Sequence, residues 1–115
     1  MTTQQVREKR TYDRRVYTID CTNLLDATET ITSVTSVTAD QGGLVFQPAV
    51  VNTTAVTFPD GSVAAIGKAM QVRIDDGAIP AGQLRLNCTV RFRMATNLDP
   101  RLEATVLLRL NDEAF

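Results

Sequence analysis

The chain lacks the side chain that most often transfers protons and binds transition metals, because none of its 115 residues is histidine. Its two cysteines, Cys21 and Cys88, lie too far apart in the sequence for a zinc motif such as C-x-x-C. The serines lack a G-x-S-x-G setting, and neither glycine-rich phosphate-binding motif is present. These absences predict a protein with no catalytic grouping, no metal and no cofactor.

The carboxylates offer the remaining route to chemistry. Asp75 and Asp76 could supply oxygen ligands to calcium, or could act with Asp99 in a carboxylate-based hydrolase of carbohydrates. Such a hydrolase needs two carboxyl groups roughly 5–10 Å apart across a cleft. Asp75-Asp76-Gly77 lies between two segments of alternating polarity, however, where a hairpin or connecting turn is the simpler interpretation.

The basic residues fall into two groups whose positions suit a protein partner. The first group crowds the start of the chain at Arg7, Lys9, Arg10, Arg14 and Arg15. The second group shares the polar face of a strand predicted at 84–94 and consists of Arg85, Arg91 and Arg93, with Arg109 as a possible addition from the last strand. We predict that both groups bind a partner. That face carries no aromatic ring on which bases could stack, so the pattern favours a protein over a nucleic acid.

The elements that position these residues are predicted to be β-strands. In segment 84–94 the even-numbered residues are apolar and the odd-numbered ones are polar, which is typical of a half-buried strand. The same alternation buries the residues Tyr17, Ile19, Cys21, Met70, Val72, Ile74 and the even-numbered positions from 102 to 110. Ile31, Val34 and Val37 recur every third residue, which indicates a bulge or bend. Residues 49–58 are predicted to be extended, and 62–68 to form a loop or a poor edge strand.

About seven short strands separated by turn residues, with no segment of helical periodicity, predict an all-β fold. We expect an antiparallel, immunoglobulin-like β-sandwich over residues 16–115, with a small barrel as the alternative. The length allows one domain. Residues 1–15 are expected to form a basic N-terminal arm that is disordered alone, lies on a partner, or is simply solvated.

The two cysteines lie on the apolar side of their strands, so both are predicted to be buried. Their spacing resembles that of the inter-sheet bridge of immunoglobulin domains, which keeps a disulfide open as an alternative. The first residues lack the apolar run of a secretory signal, and no segment has the length of a membrane span. We therefore expect synthesis in a reducing cytoplasm, two thiols and no membrane partner. Asn52 and Asn87 begin formal glycosylation motifs, but no glycan is expected in that compartment.

Several short stretches, taken together, resemble the small virion proteins of tailed bacteriophages described as fiber-tail adaptors. These stretches are Tyr17-Thr18-Ile19-Asp20, Leu24-Leu25, Glu29-Thr30-Ile31-Thr32-Ser33, Leu44-Val45, Val72-Arg73-Ile74-Asp75-Asp76-Gly77, Leu86-Asn87-Cys88-Thr89-Val90, Thr96-Asn97 and Arg101-Leu102-Glu103. Cys21 stands where that family usually has tryptophan.

The resemblance implies a non-enzymatic, immunoglobulin-like module, present in many copies, that docks fibers or neighbouring rings onto the tail or neck of a virion. The implied partners are other tail, neck, fiber or capsid proteins in a symmetric assembly, reached after synthesis in the host cytoplasm. Nucleic acid, membrane and small-molecule substrates are not expected. Two alternatives stay open: a capsid decoration protein on the outer head surface, and a carbohydrate-binding β-sandwich.

Overall fold

The fold is all-β and contains two facing sheets. It is described here from a computed structural model that covers residues 5–111. The strands are β1 (Gln5–Arg10), β2 (Arg15–Asp20), β3 (Ile31–Ala39), β4 (Val45–Phe46), β5 (Val50–Val51), β6 (Val56–Thr57), β7 (Val63–Ala64), β8 (Ala69–Asp75), β9 (Arg85–Thr96) and β10 (Leu102–Asn111). Sheet A has the order β1-β10-β9-β3, and sheet B has the order β2-β8-β4, with β5 also paired to β8. Strands β6 and β7 form a separate hairpin.

The strand order agrees with an immunoglobulin-like sandwich. Such folds have seven strands, lettered A to G in chain order. Strands B, E and D lie side by side in one sheet, and strands C, F and G lie side by side in the other. Here β2, β8 and β4 take the places of B, E and D, and β3, β9 and β10 take the places of C, F and G. The core lies between the sheets, where Tyr17, Ile19 and Val72 of sheet B pack with side chains of sheet A such as Phe92 and Leu108.

The alternation in β8, β9 and β10 is confirmed. Cys88, Val90, Phe92 and Met94 are buried along β9, whereas the arginines between them are exposed. Alternation of side chains across a strand is therefore sufficient to define which face of sheet A meets the core. The bend predicted in β3 is also confirmed, because its pairing with β9 shifts register between Ile31 and Ser33 and again between Val34 and Ser36.

The expected N-terminal arm is the largest difference. Gln5–Arg10 forms β1, which pairs in parallel with β10 inside sheet A, and β2 already begins at Arg15. The sandwich therefore includes residues that the sequence analysis placed outside it. The strand escaped detection because the side chain that it buries at residue 9 is a lysine, so no apolar alternation marks it. Residues 1–4 of the predicted arm lie outside the described residues.

Two smaller expectations are corrected. Residues 49–58 are not one extended strand, because the chain turns at Asn52 between β5 and β6. The Asn52 amide holds this turn: it donates to the carbonyl oxygens of Thr54 and Ala65 and accepts from the N–H groups of Gly67 and Ala69. Leu84, predicted to be buried, precedes β9 and is 66% exposed.

Candidate functional site

The outer face of sheet A carries the predicted second group of arginines. Because the even-numbered residues of β9 face the core, Arg85, Arg91 and Arg93 all project from the opposite side and are exposed. The antiparallel register with β10 places Arg109 directly opposite Asn87, on the same face. We call Arg85, Arg109, Arg91 and Arg93 the basic seam.

Between residues 5 and 111, one carboxylate forms an ion pair with an arginine of the basic seam. Arg93 Nε lies 3.3 Å from Glu103 Oε1, but both side chains are largely exposed, and exposed pairs of this kind contribute little to stability. Within residues 5–111, neither Arg91 nor Arg109 has a carboxylate within ion-pair distance. Their guanidinium groups are therefore available to an external acidic group.

Two open grooves lie along the same face. One, of about 360 Å³, is lined mainly by Glu8, Arg85, Asn87, Arg109 and Asn111. The other, of about 730 Å³, lies at the opposite end of the seam and is lined by Thr35, Arg93, Met94, Pro100, Arg101, Leu102 and Glu103. Each groove combines two arginines with one glutamate, which suits recognition of a polar, acidic surface.

The first predicted group of basic residues is not brought together. Arg10 faces outward opposite Asn111, close to the seam. Arg7 is half-buried and donates to the carbonyl oxygen of Thr18, 3.4 Å away, which ties β1 to β2. Arg14 and Arg15 are exposed near the start of sheet B rather than on the outer face of sheet A.

Lys9, predicted to bind a partner, is buried and only 1% exposed. Its Nζ donates to the carbonyl oxygens of Asp76 at 2.5 Å and Arg10 at 2.8 Å. Burial lowers the pKa of Lys9, while the nearby carboxylates of Asp13, Asp76 and Asp75 oppose that shift. Lys9 therefore anchors β1 to the end of β8, and its ammonium is not presented to a partner.

Both cysteines are buried free thiols, as expected. Burial, assisted by the charge of Asp20, raises the pKa of Cys21 to about 12, so this thiol stays protonated at neutral pH. The Cys21 N–H donates to the carbonyl oxygen of Lys68. Lys68 Nζ donates to the carbonyl oxygen of Glu29, whose carboxylate accepts from Thr96, so Cys21 lies at the same end of the sandwich as Thr96. Cys88 lies eight residues before Thr96 on β9, about 26 Å away at about 3.3 Å per residue, which is far beyond the reach of a disulfide.

The aspartates considered for chemistry are separated or tied into the fold. Asp75 is buried and accepts hydrogen bonds from Arg73 and Gln47; burial alone would raise its pKa, but these bonds and the Arg73 charge outweigh it and lower the pKa. Asp76 lies beside Lys9, while the Asp99 carbonyl accepts from Thr96 at the other end of the molecule. Among the described residues, no cluster of three or more acidic or sulfur ligands could hold a metal.

Some residues that matter to the fold gave no signal in the sequence. Asn52 and Lys68 are buried polar groups whose neighbours in the sequence are unremarkable. Lys68 Nζ donates to three carbonyl oxygens, those of Asp26, Ala27 and Glu29. The burial of Asn52 also removes it as a glycan acceptor. Only the tertiary structure brings these partners together, so local pattern could not have identified them.

The fold and its exposed face define a β-sandwich module with a basic seam on one sheet. Comparison with models of protein families, with characterised proteins and with solved structures yields no match. Across residues 5–111, none of the structure is a helix with the length and apolar character needed to cross a bilayer.

Proposed function

We propose that this chain is a non-enzymatic structural protein of a bacteriophage virion, an adaptor that binds neighbouring virion proteins through the outer face of sheet A. The observation that carries the proposal is the basic seam, in which Arg91 and Arg109 are exposed on a rigid sheet without carboxylate partners in the described chain. Arginine is enriched at protein interfaces because its planar guanidinium binds carboxylates with defined geometry.

The polar chemistry in the interior of the sandwich supports a structural role. Lys9, Lys68, Asn52 and Asp75 are all engaged in hydrogen bonds that join loops to strands. No buried side-chain nitrogen or oxygen within the described residues lacks a hydrogen-bond partner. Groups committed in this way stabilise a scaffold, and the exposed seam is then the feature available for function.

The outer face of sheet A also favours a protein partner over a sugar. Its outward residues on β1, β9 and β10 are arginines, carboxylates, amides and small or aliphatic side chains. None of them is aromatic. Carbohydrate sites favour exposed aromatic platforms on which sugar rings stack, and this face does not offer one.

The experiment that tests the proposal is gold labelling of intact particles. Antibodies raised against the purified chain are applied to phage particles produced by cells that carry the sequence, and the label is located by electron microscopy. Label at the neck, tail or fiber base supports an adaptor. Label over the head surface, with hundreds of copies by quantitative gel, identifies a capsid decoration protein instead. Purified particles that contain none of the chain would overturn a virion role.

A further inference from the structure

We infer that the basic seam binds an extended acidic segment of a partner protein, with acidic side chains at alternate positions on both sides of one apolar residue. This inference rests on the proposed function, since it names the kind of surface that the adaptor would recognise. It is based on the order of side chains along β9 and β10, which the register fixes.

The register defines a series of levels along the seam. Arg85 lies opposite Asn111, Asn87 opposite Arg109, and Arg91 opposite Thr105. Successive outward levels are two residues apart, which is about 6.6 Å along a strand. Arg85 and Arg109 therefore lie on adjacent levels, and Arg91 lies two levels beyond Arg109.

An extended polypeptide has the same repeat. Its alternate side chains also recur about every 6.6 Å, so a partner segment lying along β9 can present one side chain to each level. Acidic side chains at its first, third and seventh positions would meet Arg85, Arg109 and Arg91. A helix returns its side chains to the same face about every 5.4 Å, so they would fall out of step with levels about 6.6 Å apart.

The middle level holds no cation, and its side chains on β10 and β1 are apolar. Thr89 lies opposite Leu107, and Leu107 lies opposite Val6 on β1, which is 44% exposed. The charge at this row is negative, because the Asp40 carboxylate beside it accepts a hydrogen bond from the Thr89 N–H, 2.8 Å away. An apolar residue at the fifth position of the partner segment would pack here, whereas a carboxylate would lose water without gaining a cation.

A nucleic acid fits the same surface less well. A phosphate backbone is charged at every step, but the middle level offers it no cation, and Glu8 and Glu103 lie beside the two ends of the seam. The outward residues of the described strands β1, β9 and β10 also include no aromatic ring on which bases could stack. Carboxylates at selected positions of a polypeptide can avoid the two glutamates, and a continuous polyanion cannot.

The test uses the full chain and two fluorescent nonapeptides of identical composition. The patterned peptide is Glu-Thr-Glu-Thr-Val-Thr-Glu-Thr-Thr, and the shuffled peptide is Glu-Glu-Glu-Thr-Thr-Val-Thr-Thr-Thr. Binding is measured by fluorescence anisotropy at low salt, with a single-stranded DNA oligonucleotide as the third probe. The patterned peptide is expected to bind at least about fivefold more tightly than the shuffled one, because only it aligns acids with the three levels.

A pair of double variants separates the seam from general charge. R91E/R109E is expected to weaken binding of the patterned peptide at least about tenfold, because it places carboxylates opposite carboxylates. R14E/R15E makes the same change in net charge at exposed arginines near the start of sheet B, outside the seam and its two grooves, and should alter the affinity less than about twofold. Far-UV circular dichroism and thermal melting confirm that both variants fold.

The inference fails if neither peptide binds, if the two peptides bind equally well, if DNA binds more tightly than the patterned peptide, or if R14E/R15E weakens binding as much as R91E/R109E. These results are distinguishable from failure of the proposed function. Particles that carry the chain, combined with no discrimination between peptides, would retain the virion role and remove only the extended acidic partner.

Discussion

At the scale of single residues, several buried polar side chains stabilise the fold through hydrogen bonds, in addition to the packing of the apolar core. Asn52 is the clearest case, because its one amide makes four hydrogen bonds that hold the turn between β5 and the base of the β6–β7 hairpin. Both of its donors and both lone-pair directions of its oxygen are used. The arrangement requires an amide and cannot be met by a carboxylate of the same shape.

The variant Asn52→Asp tests this requirement. The substitution preserves size but presents an acceptor to the carbonyl oxygens of Thr54 and Ala65, so we expect the free energy of unfolding to fall by about 2–4 kcal/mol. Urea denaturation monitored by circular dichroism measures the change. Asn23→Asp, at an exposed position, is the matched control and should stay within about 0.5 kcal/mol of wild type. Equal stabilities for the two variants would contradict the role of Asn52.

The raised pKa of Cys21 should lower the stability of the fold at alkaline pH. Its folded-state pKa is about 12, whereas an unfolded thiol ionises near pH 8.5–9, so above about pH 9 unfolding releases a proton that the folded state retains. The free energy of unfolding should therefore fall with rising pH, by about 2 kcal/mol from this group at about pH 10.5. Burial raises the pKa of Tyr17 to about 12 and acts in the same direction above about pH 10, while the lowered pKa of Lys9 acts in the opposite direction.

The measurement is the slope of stability against pH between about 8 and 10.5 for wild type and Cys21→Ala. The alanine variant loses packing and is less stable at every pH, but its slope should be shallower because one of the protons released on unfolding is gone. Parallel curves for the two proteins would show that Cys21 does not lower the stability at alkaline pH.

Prediction from sequence succeeded at this scale wherever burial follows alternation and failed wherever burial follows a tertiary hydrogen bond. Val90, Phe92 and Met94 could be assigned to the core because they lie two residues apart on an extended chain. Lys9 could not, because what allows its burial is the carbonyl oxygen of Asp76, which is distant in the sequence. A lysine carries no local sign that such a partner will be present.

At the scale of elements, β1 is the strand that changes the interpretation of the molecule. It covers the edge of β10 and is joined to sheet B by two further bonds, from Tyr17 Oη to the carbonyl oxygen of Glu8 and from Arg7 to that of Thr18. These bonds close the side of the sandwich between β1 and β2. An exposed β10 edge would be a template for pairing with other chains.

Deletion of residues 1–10 is therefore expected to destabilise the domain and to cause self-association. The loss should be at least about 2 kcal/mol, because the donor to Asp76 and the pairing along β10 are both removed. Thermal melting and size-exclusion chromatography over a range of concentrations measure the two effects. Deletion of residues 1–4 alone, which keeps β1, is the control. A truncated protein that melts like wild type would instead match the detachable arm expected from sequence.

The connection between β3 and β4 requires a glycine where its backbone packs directly against core side chains. Gly42 has φ +103°, and a Cβ there would lie 2.6 Å from Cys88 Sγ and 3.0 Å from Leu110 Cδ1. Gly42→Ala should therefore cost about 2–4 kcal/mol, because backbone strain and a steric clash add. Gly82 has φ +86° with nothing near its missing Cβ, so Gly82→Ala should cost about 1 kcal/mol from strain alone. Chemical denaturation compares them, and equal costs would contradict the close approach.

The sequence predicted elements well where they are long and poorly where they are short. Strands β8, β9 and β10 were placed by their period, whereas β4 to β7 have two residues each and carry no measurable period. The order of strands in each sheet was beyond prediction, because alternation assigns faces and leaves neighbours undetermined. For the same reason the arginines of β9 could be grouped from sequence, while the alignment of Arg109 with Asn87 needed the register.

At the scale of the whole molecule, a nearly neutral chain concentrates positive charge on one face. The formal net charge is −1, but the basic seam contributes four guanidiniums to the outer face of sheet A, where the nearby carboxylates among residues 5–111 are those of Glu8, Asp40 and Glu103. Such local patches influence association more than total charge does, because screening at physiological salt limits interactions to about 8 Å.

Incorporation into particles is the prediction at this scale. If the seam is the docking face, R91E/R109E should fold normally but be depleted from particles at least about tenfold, while R14E/R15E should be incorporated at the wild-type level. The readout is the ratio of the chain to the major head protein on stained gels of purified particles. Normal incorporation of R91E/R109E would assign docking to another surface.

The parallel alignment of β1 and β10 also has a mechanical consequence. A force that pulls residue 5 and residue 111 apart acts along two neighbouring strands that run in the same direction, so it loads all the hydrogen bonds between them together in shear. Bonds loaded together resist far better than bonds opened one after another, as when a hairpin is peeled from one end. We expect stretching of single molecules from their termini to show one high rupture peak, a property suited to a component that must hold under tension.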